Sequence, residues 1–329
     1  MTRRRSALAF PALLLGATLA TGCLFPSIDD LTRCPNGCGG AKTTSGTGSP
    51  TGTGTATGPV TTTTTGAGGG SACPSTRGPA GVFIASENGF PSFCIDQTEV
   101  SVGDYRAFYE GNNFPLAPTL IPPHCSWKGT AAAGYRPMGH GPGGQVVDYI
   151  WGHFDTKTEE NRPVQGLDWC DAATYCAWAG KRLCGSDMPA NRHIDSTQTM
   201  WAHAGEWFRA CAGPTGTPYP YGATFNATAC NEGGVGTDPD PFKTANVDMP
   251  STCVAAWPAG NVFDLLGNVA EYEDDCVDGS GATEAQDVCH VRGGPYPLSG
   301  NYNTCDYYQA AVPDLRGDKG DYNGARCCW

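Results

Sequence analysis

Hydrophobic positions in this chain come in short, frequently interrupted stretches, and only a few are regular enough to predict an element. Gly81-Val82-Phe83-Ile84 and Phe93-Cys94-Ile95-Asp96 predict two short strands around a Gly/Pro-containing turn. A Cys73–Cys94 disulfide is one way to staple that hairpin. Ser101 is a suitable N-cap for a helix over Val102 to Tyr109, where Val102, Tyr105, Ala107 and Phe108 form a partial stripe. Residues 110–160 are rich in Pro and Gly and predict loop. Asp168 caps the clearest helix, with Ala172, Tyr175, Cys176 and Ala179 on one face and Gly180 supplying the left-handed residue after its end. Glu206 to Cys211 predict a further turn or two of helix. The pattern is α+β, with few helices and much irregular backbone.

The ends of the pattern concern address rather than fold. Arg3, Arg4 and Arg5 precede an apolar run from Ala7 to Ala20, too short to span a bilayer, followed by Thr21-Gly22-Cys23. Residues 1–22 read as a secretory signal peptide, and Cys23 as the acylated first residue of a lipoprotein whose chains anchor it without a transmembrane helix. Residues 23–72 are dominated by Gly, Ser, Thr and Pro, including Thr61 to Thr65, and read as a flexible linker. Residues 73–329 remain as one domain. The expected location is extracytoplasmic and membrane-anchored, in the outer membrane or on the periplasmic or cell-surface side.

Composition agrees with export. The chain has 17 cysteines, and acylation of Cys23 leaves an even number for disulfides. Cys34 and Cys38 are spaced for a local loop; as a zinc site they lack a second pair. Loss of Arg3, Arg4 and Arg5 with the signal moves the formal charge from −12 to −15. So acidic a surface excludes nucleic acid and leaves cations, sugars and basic proteins as partners.

The order of motifs carries a family resemblance. Glu99-Val100-Ser101-Val102-Gly103-Asp104-Tyr105-Arg106-Ala107-Phe108 is followed by Arg162-Pro163-Val164, Asp168-Trp169-Cys170-Asp171-Ala172 and Tyr175-Cys176-Ala177-Trp178-Ala179-Gly180-Lys181-Arg182-Leu183. Then come Glu206-Trp207-Phe208-Arg209-Ala210-Cys211, Tyr219-Pro220-Tyr221-Gly222, Asp264-Leu265-Leu266-Gly267-Asn268-Val269-Ala270-Glu271-Tyr272, Arg292-Gly293-Gly294 and Gly324-Ala325-Arg326-Cys327. This series resembles the formylglycine-generating, sulfatase-modifying-factor family. The resemblance implies a C-type-lectin-like fold with little regular secondary structure, and disulfides Cys176–Cys327 and Cys211–Cys305. It also implies two redox cysteines after the Arg-Gly-Gly that hold copper. Here Pro295 to Thr304 contain no cysteine, and the single Cys305 stands eight residues before Pro313-Asp314, at the family's structural position.

The residues of Asp264 to Glu271 read by themselves as a cation loop, with carboxylates at both ends and Gly267-Asn268 turning carbonyls inward, as hard Ca²⁺ requires. By resemblance the ligands are Asp264, the carbonyls of Gly267 and Val269, and Glu271. A second calcium set comprises Asn231, the Glu232 carbonyl, Asp240 and the Phe242 carbonyl. Copper is not expected, since it needs a soft dithiol. His203 and Glu206 have the spacing of a helical metal pair, but Glu206-Trp207 belongs to a family packing motif. No Gly-x-Ser-x-Gly, phosphate loop or basic-aromatic patch occurs. Trp127, Tyr135, Tyr149, Trp151 and Phe154, with His140 and His153, form either a satellite core or a ligand groove.

The resulting expectation is a lipid-anchored, non-catalytic domain acting as a calcium-stabilised binding or structural module for an unknown protein or carbohydrate ligand. The alternative is a divergent copper-dependent oxidase that converts sulfatase cysteines to formylglycine.

Overall fold

The structure, a computed structural model, describes residues 72–87, 89–111, 113–140, 146–148, 159–185, 205–232, 244–249, 251–277, 283–297, 303–306 and 314–329. The expected signal peptide, Cys23, the linker with Cys34 and Cys38, His203, Asp240, Phe242, Tyr149, Trp151, His153 and Phe154 lie outside the described residues.

In chain order the elements are strands β1 (Gly81–Ile84) and β2 (Phe93–Asp96), helix α1 (Val102–Glu110), strands β3 (Met138–His140) and β4 (Val146–Asp148), helix α2 (Trp169–Trp178), strand β5 (Arg182–Leu183) and helix α3 (Glu206–Ala212). Strands β6 (Val254–Trp257), β7 (Gly260–Phe263), β8 (Ala270–Val277), β9 (Val288–Arg292), β10 (Asp314–Leu315), β11 (Asn323–Gly324) and β12 (Cys327–Cys328) follow. The β3–β4 hairpin lies inside the stretch expected to be loop. Strands of three residues leave no readable alternation.

Both longer helices start as their caps predict. Ser101 and Asp104 form a reciprocal capping box at α1, as do Asp168 and Asp171 at α2, each such cap contributing about 1 kcal/mol. The α1 stripe is Val102, Tyr105 and Phe108; Ala107 faces out. Helix α2 is buried on every side through most of its length, from Trp169 to Cys176, rather than on one face. It ends at Gly180, whose φ of 80° needs no Cβ. Tyr105, Phe108, Tyr135 and Tyr175 are fully buried between the two helices, with the Tyr105 and Tyr175 rings stacked at 5.6 Å. Tyr135 is therefore core, whereas Trp127 is 45% exposed.

One sheet has the order β1-β2-β12-β5, so the late strand β12 fills a slot between two early ones. Cys328 pairs opposite Ile95 on one side and Arg182 on the other. The second sheet runs β10-β9-β8-β11, with β11 parallel to β8 and Gly324 opposite Glu271. A second core, formed by Val82, Ile84, Ile95, Trp207, Leu265 and Leu266, lies against the first sheet and α3. No helix among the described residues is long and apolar enough to cross a membrane.

Candidate functional site: the Asp264–Glu271 loop and the Arg-Gly-Gly corner

Three residues of the loop adopt left-handed backbone: Asp264 (φ 53°), Gly267 (φ 77°) and Asn268 (φ 57°). Gly267 is required, since a Cβ there would fall 2.3 Å from the Asn231 carbonyl oxygen. Its amide donates to the Gly293 carbonyl at 3.0 Å, which ties the loop to the Arg-Gly-Gly corner. Asn268 is buried and works in several directions. Its Nδ2 donates to Glu99 at 2.7 Å, and its Oδ1 accepts from the Ala245 amide at 2.8 Å and from Asn231 Nδ2 at 3.2 Å. The other Glu99 oxygen accepts from the Val269 amide.

A buried cation lies at the end of the loop. Arg326 is completely buried, and its Nε and Nη2 donate to the Glu271 carboxylate at 2.7–2.9 Å. Its Nη1 donates to the Asp96 carbonyl, and Nη2 donates also to the carbonyls of Phe263 and Asp264. Trp207 Nε1 donates to Glu271 as well. Nearby, Lys181 is paired with Asp96, whose carboxyl burial nevertheless pushes up to about 7.

The carboxyls around Arg326 outnumber it. Burial pushes Asp264 up to about 8, with Arg326 opposing and Glu271 and Asp248 reinforcing the rise. Glu99 is also held well above the usual carboxylate range, first by burial and then by Asp264 and Glu271. Asp264 Oδ2 accepts from the Asp248 amide at 2.7 Å and the Met249 amide also supports the carboxylate, while its buried Oδ1 is in no hydrogen bond of normal geometry.

These donors fit a hard divalent cation in part. The Asp264 oxygen and the surplus of carboxyl groups over Arg326 suit Ca²⁺, which would take the place of the protons that burial keeps on them. Glu271, by contrast, has both oxygens engaged by Arg326 and Trp207, so it serves as the arginine's counter-ion rather than as a ready ligand. Of the second expected set, Asn231 is committed through its amide to Asn268. Glu232 is 8% exposed, has neither oxygen in a hydrogen bond of normal geometry, and is pushed up to about 7 by burial against the opposing Asn303 amide. Among the described residues, no three His, Cys, Asp or Glu side chains gather as a metal cluster.

The cysteines are fully accounted for from Cys73 onward. Cys73–Cys94, Cys176–Cys327 and Cys211–Cys305 are disulfides. Cys125–Cys170, Cys184–Cys328, Cys230–Cys253 and Cys276–Cys289, which the sequence left unassigned, are disulfides too. Cys327 and Cys328, adjacent in sequence, thus bond to different partners and not to each other. At the corner itself, Arg292 is bound to Glu273 at 2.6 Å and His290 to Asp275 at 2.8 Å. Gly294 is followed by Pro295 where a dithiol would begin.

Glu99 and Arg326 were visible in their motifs but had no role assigned. The available signal was an isolated charge between apolar or cysteine neighbours, as in Ala325-Arg326-Cys327, since such charges are buried only when paired.

Residues 55–329 match the family described as a sulfatase-modifying factor enzyme 1-like domain, and the chain belongs to that family. It has the family's mixed helix-and-sheet fold with few helices. It is 33% identical over 113 residues to the "Inactive C-alpha-formylglycine-generating enzyme 2" of Bos taurus, covering 33% of this chain and 32% of that protein. It is also 25% identical over 134 residues to the "Formylglycine-generating enzyme" of Thermomonospora curvata, covering 34% of this chain and 41% of the relative. The matches thus span about a third to two fifths of these relatives. Among solved structures, PvdO from Pseudomonas aeruginosa aligns over 77% of this chain and 89% of its own, with 19% identity and a TM-score of 0.45.

Proposed function

We propose that this chain is an exported, lipid-anchored protein whose formylglycine-generating-enzyme-like domain is a non-catalytic, calcium-stabilised binding or structural module. One observation carries this reading: every cysteine from Cys73 onward is held in a disulfide, and Pro295 to Thr304 contain none. The oxidase chemistry needs a thiolate pair to bind Cu(I) and engage a substrate thiol, and no pair follows the Arg-Gly-Gly. The similarity to relatives named as inactive supports the same reading.

Calcium enters the proposal through Asp264. Its Oδ1 offers a hard oxygen donor beside a surplus of buried carboxyls, to which the family resemblance adds the carbonyls of Gly267 and Val269. Anchoring rests on the acylation expected at Cys23, for which palmitate labelling lost in Cys23→Ala is the check.

The test of the central reading is direct. The full chain, supplied with Cu(I), O₂ and a Cys-x-Pro-x-Arg peptide, yields no aldehyde product. Formylglycine at multiple turnovers, lost on mutating Cys305 or Cys328, would restore the enzyme and the likeness to the Thermomonospora protein as its explanation.

A further inference from the structure

Trp127 and Met249 are the exposed large hydrophobic side chains among the described residues. A single exposed tryptophan needs no explanation in itself; what distinguishes Trp127 is how it is held. Its Nε1 donates to the His124 carbonyl at 3.0 Å, which satisfies the polar edge and fixes the ring. One edge of the indole rests on Gly317, where a Cβ would stand 3.1 Å from Cη2 and 3.2 Å from the Ala285 side chain. Lys128 lies 5.9 Å from the ring centroid, but it is buried and committed to Asp168 and Asp171. The indole is thus preorganised, with its polar edge satisfied and nearly half its surface open to solvent.

The rim is acidic. Glu284, next to Ala285, is half exposed and lies 3.2 Å from His124 Nδ1, whose ring is also exposed. Asp318, next to Gly317, is exposed as well. The basic residues close by are occupied: Arg316 is buried against Asp287, and Lys319 is bound to Asp171. With a formal net charge of −12 for the whole chain, this patch favours a cationic partner over a neutral or anionic one.

Resting on the binding-module reading, we infer that Trp127, Glu284 and Asp318 form a docking patch for an arginine-bearing segment of a partner protein. A guanidinium stacks on an indole face through the ring quadrupole and donates through its fork to a neighbouring carboxylate. An ammonium is also drawn to the ring face, but as a compact, strongly hydrated charge it lacks the planar stacking surface and the forked donors.

The test uses fluorescence anisotropy of labelled peptides against the full chain. An alternating Gly-Arg peptide binds, the Gly-Lys peptide binds several-fold more weakly, and the Gly-Glu peptide does not bind. Trp127→Ala weakens Gly-Arg binding roughly fivefold and Glu284→Gln roughly threefold; both variants still melt cooperatively well above the assay temperature, Trp127→Ala somewhat below the wild type because the indole packs on Gly317 and Ala285. Gly317→Ala, which tilts the indole without removing it, also weakens binding. Failure of the wild type to bind Gly-Arg, equal binding by Trp127→Ala, or a neutral oligosaccharide competing at Trp127 would each overturn the inference. None of these outcomes produces formylglycine, so they leave the non-catalytic reading standing; aldehyde formation would sink that reading without altering the anisotropy.

Discussion

Two buried charge centres in this domain use the same kinds of residue and balance them differently. At the N-terminus of α2, Lys128 and Lys319 face Asp168 and Asp171, two charges against two. Around the 264–271 loop, Glu99, Asp264 and Glu271 face Arg326, because Lys181 is taken by Asp96. The first centre needs nothing from outside. The second is short of positive charge at neutral pH, and either protons or a divalent cation must supply it. Local imbalance in a buried site, rather than an acidic composition, therefore marks the place for the proposed calcium.

The comparison breaks most sharply at Arg326. Arg326→Met leaves Glu271 buried without its partner, and removal of one member of such a pair costs about 3–5 kcal/mol. We expect little folded protein, measured as yield of folded chain and cooperative melting. A variant that melts like the wild type would show that the second centre is not organised by arginine.

Calcium gives the next largest effect. At a hundredfold excess over its dissociation constant, a ligand of the folded state adds about 2.7 kcal/mol, so chelation should lower the melting temperature and Asp264→Asn should remove most of that response. The pH profile sharpens the point. Burial raises the Asp264 carboxyl from its ordinary 3.8 to about 8 in the folded state, so its contribution is complete below about pH 4 and is lost as pH rises through about 8. Without calcium, stability should fall across that window, and Asp264→Asn should flatten the fall. If chelation moves nothing at any pH, protons alone meet the imbalance.

The balanced centre predicts the smallest change. Lys319 is partly exposed, and Lys128 stays to serve both aspartates, so Lys319→Met should cost roughly 1–2 kcal/mol. A loss as large as that of Arg326→Met would erase the distinction between the centres.

What could be read in the sequence was what local chemistry determines. Ser101 and Asp168 announce their helices because an N-cap acts on amides two or three residues away. Cys176–Cys327 and Cys211–Cys305 came through family resemblance, whereas Cys125–Cys170 and Cys184–Cys328 depend on which elements meet in space. The apolar positions of α2 predict one buried face, but aromatic and polar side chains on its other faces are buried as well. Glu271 was read as a metal ligand from its own loop; the arginine that engages it stands 55 residues away. The β3–β4 hairpin was missed because three-residue strands carry no periodic signal.

The slot occupied by β12 also sets the timing of assembly. Strands β2 and β5 cannot close their sheet until residues 327–328 arrive between them, and β8 cannot complete its parallel edge until residues 323–324 arrive. Arg326 closes its bonds to Asp96 across 230 residues and to Glu271 across 55. Such non-local contacts impose their loop-closure entropy before they return any stabilisation. Until the 323–328 segment docks, β2, β5 and β8 therefore keep open edges and Cys176 and Cys184 have no partners, a vulnerable interval that ends only when that segment joins both sheets.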